Sequence, residues 1–371
     1  MFAALILSAV QAAAPAAMPA VAPAQDPQLA AIAARLVDDG GAPGAAVMRA
    51  SDGTVVIGTA GVRAVRTEAA IAPDDLWHIG SDTKAMTATL VARLVEQGVV
   101  SWDDTIGDRL GNVVETIDPA YRDLTFRHLL SHRAGLAPNP GLVDTMRFVM
   151  SEAPLTEQRV RYAAIMLGQP PAAEPEAEFL YSNAGYVVAG AMLEQATDTS
   201  WEALMEREVF GPLGMGSAGF GAPGSPGTLD QPRGHRSGLF GRLSAVEPGP
   251  RADNPAVMGP AGTVHVSMAD LARFLTVHAT GEAGGAADYL APESFAVLHT
   301  PPFGGDYAMG WGVDGRELTH AGSNTMWFVL VRADRETGAV RAVGVNDGPT
   351  DELLPSVNAA MQALSDGRPA Q

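Results

Sequence analysis

Where the strand-like runs fall constrains this chain more than any other feature. Gly44–Ala50 and Thr54–Ala60 are short apolar runs joined by Ser51-Asp52-Gly53, a hairpin signal near the N-terminal end. A second hairpin is read near the other end: Met326–Ala333, a turn over Asp334–Gly338, then Ala339–Asn346. Glu317-Leu318-Thr319 reads as a strand leading into it, and Asp351–Leu364 as a closing helix. The middle is helical: Asp82–Gln97 (stopped by Gly98), Thr125–Ser131, Thr156–Leu167, Ala184–Thr197, Trp201–Val209 and Met268–Thr280. Strands first, helices next and strands last argue against a doubly wound parallel sheet. The expected class is α/β in the α+β sense. One antiparallel sheet is made from both chain ends and flanked by helices. A helical lobe over roughly residues 100–260 is inserted, within one domain spanning residues 25–371. Gly214–Gly262 stands apart: it is dense in Gly and Pro and aperiodic, and a loop that long inside a compact domain is functional or mobile.

Composition narrows the function classes. With 371 residues, 47% hydrophobic and 18% charged, the chain can bury a sizeable core and is no disordered polyampholyte. Its formal net charge of −18 repels phosphate backbones and anionic lipid, which excludes nucleic acid and a membrane surface as partners. The absence of cysteine removes disulfides, thiolate metal sites, thiol nucleophiles and a lipidated cysteine anchor. Phe2–Val10 is an apolar run too short to span a bilayer, followed by Ala- and Pro-rich sequence to Gln25. Ala12-Ala13-Ala14 and Ala22-Pro23-Ala24 offer small residues at the spacing of a signal-peptidase site. Residues 1–24 therefore read as an export signal, which sends the mature chain to the bacterial periplasm or medium without a stable membrane anchor. No Lys or Arg precedes the run, the first basic residue being Arg35, which points to a true start upstream of Met1.

The basic residues carry more information than their number. Of 24, 23 are arginine, and Lys84 is the one lysine. An amine can lose its proton near neutral pH when its surroundings are tuned; a guanidinium cannot. Lys84 belongs to Ser81-Asp82-Thr83-Lys84, at the start of the first long helix. Ser81 follows Gly80 and suits an N-cap, and a spacing of three puts Ser81 and Lys84 on one face. At about 100° per residue, Lys84 falls about 20° from both Val91 and Val95, inside the apolar arc of Met86, Leu90 and Leu94. Asp82, Thr89, Arg93 and Glu96 form the opposite side. Desolvation lowers an ammonium pKa and leaves a free amine to take the hydroxyl proton. The bland alternative is a capping serine beside a lysine snorkelling past its apolar neighbours.

Two further elements point the same way. Tyr181-Ser182-Asn183 precedes the helix starting at Ala184, where a phenol and an amide two residues apart can face one site. Alternatively Asn183 is an N-cap beside a packed tyrosine. His320-Ala321-Gly322 follows the strand residues Glu317–Thr319, and a glycine there permits a ligand to approach the backbone closely.

In their order and context these three elements resemble the serine hydrolases of the β-lactamase and penicillin-binding-protein superfamily. The nearest branch holds class C β-lactamases, DD-carboxypeptidases, D-aminopeptidases and family VIII esterases. The resemblance runs from about Gly44 to Asp347, supported by Leu76-Trp77-His78-Ile79-Gly80, Leu129-Leu130-Ser131-His132-Arg133-Ala134-Gly135-Leu136, Tyr181-Ser182-Asn183-Ala184-Gly185-Tyr186, Phe210-Gly211-Pro212-Leu213-Gly214-Met215 and Gly259-Pro260-Ala261-Gly262. It implies that Ser81 is the acylated nucleophile and Lys84 the amine that activates it. Tyr181 matches the tyrosine that relays protons to the leaving group and helps activate the deacylating water. Asn183 matches the amide that orients the lysine and the substrate's acyl side chain. Ser323 matches the residue whose backbone N–H completes the oxyanion hole with that of Ser81.

His320-Ala321-Gly322 departs from that pattern, standing where the family has Lys-Thr-Gly or His-Thr-Gly. An imidazole replaces an ammonium, and Ala321 lacks the hydroxyl that contacts a substrate carboxylate. Losing a charge-assisted contact costs about 1.5–3 kcal/mol, roughly ten- to a hundredfold in selectivity. The expectation is an acyl-enzyme hydrolase for small esters or peptide-like amides, without cofactor or metal, and a poor β-lactamase. The alternatives are a β-lactamase or DD-carboxypeptidase, or a penicillin-binding sensor that stays acylated; Lys84 and Tyr181, both present, favour turnover. Outside this family, no serine has glycines at both flanking positions, as an α/β-hydrolase elbow requires. His128 and His132 have the i,i+4 spacing of helical metal ligands, but no glutamate follows His128, so they read as structural.

Overall fold

The computed structural model describes residues 24–238 and 242–366. The expected export signal, residues 1–24, lies outside the described residues but for its last position. A seven-stranded sheet has the order β1-β3-β2-β12-β11-β10-β9. From the N-terminal side come β1 (Ala24–Gln25), β2 (Gly44–Ser51) and β3 (Thr54–Gly61); from the C-terminal side β9 (Gly312–Asp314), β10 (Glu317–Ser323), β11 (Phe328–Asp334) and β12 (Val340–Val345). Every pairing is antiparallel except β1 with β3, as the placement of strand runs predicts. The first hairpin closes on Ser51↔Thr54 with Asp52 at φ 49° and Gly53 at φ 74°, the two left-handed residues a tight hairpin turn demands. The chain ends meet in the sheet centre, where β2 pairs with β12 from Ala50↔Val340 to Ala45↔Val345.

Both faces of this sheet are covered, so period-2 alternation separates two cores rather than core from solvent. Ala45 and Val47 face α1 (Pro27–Asp38) and the closing helix, here Leu353–Asp366, through Leu29, Ile32, Leu36, Val357 and Met361. Ala46 and Met48 face the larger core, which runs unbroken from the sheet through Met86 and Leu90 to Leu193. Its spine is α2 (Thr83–Glu96), buried from Thr83 to Ala92. Around it lie α3 (Ile106–Leu110), α4 (Phe126–Leu130), α5 (Leu142–Val149), α6 (Leu155–Leu167), α7 (Asn183–Thr197) and α8 (Trp201–Met205). A four-residue turn α9 (Gly259–Gly262), then α10 (Met268–Thr280), α11 (Pro292–His299) and the closing helix α12 complete the set.

Three expectations are corrected. The polar side expected for α2 is mostly interior: Asp82 and Thr89 are buried, and only Arg93 and Glu96 at the far end reach water. Ser81 caps no helix. It lies in a 3-10 turn, Gly80–Asp82, that precedes α2 and makes no side-chain cap. The Gly214–Gly262 stretch is not featureless. It contributes β5 (Gly219–Phe220), β6 (His235–Ser237) and β7 (Leu243–Ala245), and β5 joins β4 (Leu76–His78) through β8 (Val264–Ser267) in a small sheet. Strands of two or three residues are too short to show a period.

Candidate active site

The 3-10 turn is pressed against strand β10, and two glycines allow it. Gly80 has φ +50°, and a Cβ there would lie 2.3 Å from the Ser323 nitrogen. A Cβ on Gly322 would lie 1.8 Å from the Ile79 carbonyl oxygen and 2.8 Å from the Ser81 nitrogen. The close approach expected at Gly322 is therefore made by the chain's own turn rather than by a ligand. It brings the Ser81 and Ser323 backbones side by side. From behind, α9 closes in: a Cβ on Gly262 would meet the Gly80 carbonyl at 3.4 Å and the Ser81 nitrogen at 3.6 Å.

Lys84, in the first turn of α2, is fully buried. Its Nζ donates to Ser81 Oγ at 3.0 Å, to Asn183 Oδ1 at 2.7 Å and to the Ala261 carbonyl at 2.7 Å. Three acceptors meet the three protons of an ammonium. Burial opposes that charge, with Asp82 working against it, and lowers the amine to about 7. Asn183 is the first residue of α7, capped by the Ser182 hydroxyl on Gly185 N–H. The Asn183 Nδ2 donates to Asn139 Oδ1 at 3.0 Å, which fixes its carbonyl toward Lys84. Tyr181 presents its ring to the Lys84 amine, 4.9 Å from Nζ to centroid. Burial raises its hydroxyl to about 12, with a hydrogen bond to Ser81 opposing.

The fold thus brings Ser81, Lys84, Tyr181, Asn183, Gly322 and Ser323 together, and places His320 beside them with its ring turned to other partners. His320 is buried and engaged at both ring nitrogens: Nδ1 with Asp82 Oδ1 at 3.2 Å and Nε2 with the Tyr307 hydroxyl at 3.1 Å. Ala321 is exposed. The Ser323 hydroxyl donates to the Trp327 carbonyl at 2.6 Å. The side chains of this stretch of β10 therefore carry no uncommitted donor toward a ligand. Asp82 and Tyr307 were missed, because the strand and loop that meet them lie more than 220 residues beyond Ser81. His128 and His132, read together from their spacing, part company: His128 Nε2 meets Glu176 at 3.0 Å, while His132 lies against Tyr181.

Comparison with known proteins agrees with this architecture. The Beta-lactamase family model matches residues 29–364. Penicillin-binding protein 4 of Amycolatopsis lactamdurans is 29% identical over 324 residues, 82% of this chain and 81% of that protein. Among solved structures, EstCE1, a hydrolase with promiscuous acyltransferase activity, is 18% identical with a TM-score of 0.70, covering 90% of this chain and 97% of that one. The D-amino acid amidase of Ochrobactrum anthropi SV3, complexed with L-phenylalanine amide, is 21% identical with a TM-score of 0.69, covering 91% and 98%. At such identities the two structures speak for the fold alone.

Proposed function

The chain belongs to the beta-lactamase family of hydrolases, and from that membership we propose that it is a serine acyl hydrolase forming a covalent acyl-enzyme on Ser81. The observation that carries the reading is the Lys84 amine: fully buried, lowered to about 7, and 3.0 Å from Ser81 Oγ. As a free amine it accepts the Ser81 proton while the oxygen attacks a substrate carbonyl. Asn183 and the Ala261 carbonyl hold the resulting ammonium in place. The N–H groups of Ser81 and Ser323, brought together by Gly80 and Gly322, receive the developing oxyanion. Tyr181, whose hydroxyl reaches Ser81, passes the proton to the leaving alcohol or amine as the tetrahedral intermediate collapses. Water then enters along the same route, with Tyr181 and Lys84 taking its proton, and releases the acid.

The preferred substrates are small esters or peptide-like amides without a carboxylate against β10. Support comes from that strand: His320 is committed to Asp82 and Tyr307, Ala321 has no hydroxyl, and Ser323 Oγ is committed to Trp327. A carboxylate placed there forfeits a charge-assisted contact of about 1.5–3 kcal/mol. Residues 1–24 are read as an export leader; among the described residues no helix is long and apolar enough to cross a membrane.

Intact-protein mass spectrometry of wild type and Ser81→Ala, with a panel of p-nitrophenyl esters and a penicillin, tests both levels. We expect a transient adduct on wild type alone and ester turnover well above that of nitrocefin. Undiminished turnover by Ser81→Ala removes the acyl-enzyme; nitrocefin turnover equal to or above that of short esters removes the substrate preference. An adduct that never releases product supports an acylated sensor instead.

A further inference from the structure

We propose that His132 is a positioning residue that locks Tyr181 into the site, an inference that rests on the acyl-hydrolase reading above. His132 is 1% exposed and sits at φ 60°, the left-handed position just past the C-cap of α4, where Arg133 N–H donates back to the His128 carbonyl at 2.9 Å. That conformation lets one residue grip the chain on both sides of Tyr181. The His132 carbonyl accepts from Leu180 N–H at 3.0 Å, and its ring Nδ1 accepts from Ser182 N–H at 3.1 Å. The ring itself lies against Tyr181, centroids 4.2 Å apart and tilted by 39°. Tyr307 and Tyr186 pack on the same imidazole at 4.8 and 5.4 Å. Tyr181 is thus fixed at both peptide neighbours and on its ring.

The protonation state fits this role. Because Nδ1 accepts, the neutral ring carries its proton on Nε2, which meets no hydrogen-bond partner among the described residues. Burial, reinforced by Lys84 and His320, holds His132 well below the usual histidine range, so the Ser182 bond persists while Lys84 titrates. Asparagine tolerates the left-handed backbone and offers an oxygen, but it has no ring to set against Tyr181.

A double-mutant cycle of His132→Asn and Tyr181→Phe tests this, read as the rate at which a fluorophosphonate labels Ser81 and as kcat and KM on a p-nitrophenyl ester. We expect His132→Asn to lower kcat and labelling by about tenfold or more with KM within about twofold, a displaced reacting group being that costly. In the Tyr181→Phe background the same substitution should change labelling by less than about twofold, since a residue acting through Tyr181 has nothing left to act on. An equal loss in both backgrounds, or none in the wild type, overturns the proposal. Should His132→Asn fail to fold, His132→Gln takes its place with the same expectations. Failure of the underlying reading looks different: Ser81→Ala would then keep its turnover whatever the cycle gave.

Discussion

An ammonium enclosed by protein has lost the water that stabilised its charge, and at Lys84 hydrogen-bond acceptors, two tyrosine rings and a buried carboxyl two residues away offset that loss in part. The amine drops from its ordinary 10.5 to about 7. The base form must predominate for Ser81 to be activated, so kcat/KM on a neutral ester should rise with pH through an ascending limb centred near 7, measured at constant ionic strength. A flat profile between about pH 6 and 8 would contradict the assignment. The same shift carries a stability prediction. The folded state holds the Lys84 proton less tightly than the unfolded chain, so the penalty is greatest below pH 7 and disappears as pH approaches 10.5. At roughly 1.4 kcal/mol for each pH unit between the two values, it amounts to several kcal/mol near neutrality. Lys84→Met, which fills the space without a charge, should therefore lower kcat/KM by about a thousandfold or more while raising the urea midpoint at pH 7, and that gain should shrink toward pH 10. A destabilised Lys84→Met, or an active one, would mean that the amine is not the buried base described here.

The contact between the 3-10 turn and β10 sets the site's geometry at the level of elements. Because a methyl on Gly322 would fall 1.8 Å from the Ile79 carbonyl, Gly322→Ala must push strand and turn apart. We expect a stability loss of about 1–3 kcal/mol by urea denaturation. We also expect a fall of about a hundredfold or more in kcat/KM, because the Ser81 and Ser323 N–H groups separate. Wild-type kcat/KM in this variant would show that those backbones need not touch. This contact also marks how far the elements were legible in the sequence. The hairpins, α10 and the serine–lysine spacing could be read because each depends on local period, turn residues or a single unusual residue. Ser81 read as an N-cap because only β10 holds Gly80 in its left-handed form, and β10 arrives some 240 residues later. Asp82 falls by its period on the side of α2 opposite the apolar arc, and its burial beside His320 of β10 has the same distant cause. The left-handed His132 ends α4, but its grip on Leu180 and Ser182 depends on a segment some 50 residues away and has no local signal.

Across the whole molecule, buried neutral histidines link stability to pH. Thr89 of α2, His278 of α10, His299 of α11 and Glu282 form a chain of contacts at 3.0, 2.9 and 2.6 Å, and Arg335 from the β11–β12 turn completes it at 2.9 Å on Glu282. Where the two imidazoles meet, one nitrogen must be unprotonated to accept. Burial, with His299 adding to it, holds His278 well below 6.5; burial also lowers His299, against the pull of Glu282. Folded values below the ordinary one mean that the native state binds fewer protons. Their contribution is intact above pH 6.5 and is lost as pH falls toward the folded values. Glu282, drawn down to about 2 chiefly by its hydrogen bond with His299, adds a second loss between 4.5 and about 2. Buried carboxyls raised by desolvation, Asp82 and Glu194 among them, act with the opposite sign, so the histidine share has to be isolated by substitution. Urea unfolding of wild type at about pH 7.5 and 5.5 should show a loss that a His278→Leu/His299→Leu variant reduces by about 1–3 kcal/mol. The three helices so tied, Lys84's own helix among them, all pack into the larger core, and the loss should therefore appear in the far-ultraviolet signal and in tryptophan fluorescence at one midpoint. Parallel pH slopes for wild type and variant would show that these imidazoles titrate as freely in the fold as in the unfolded chain.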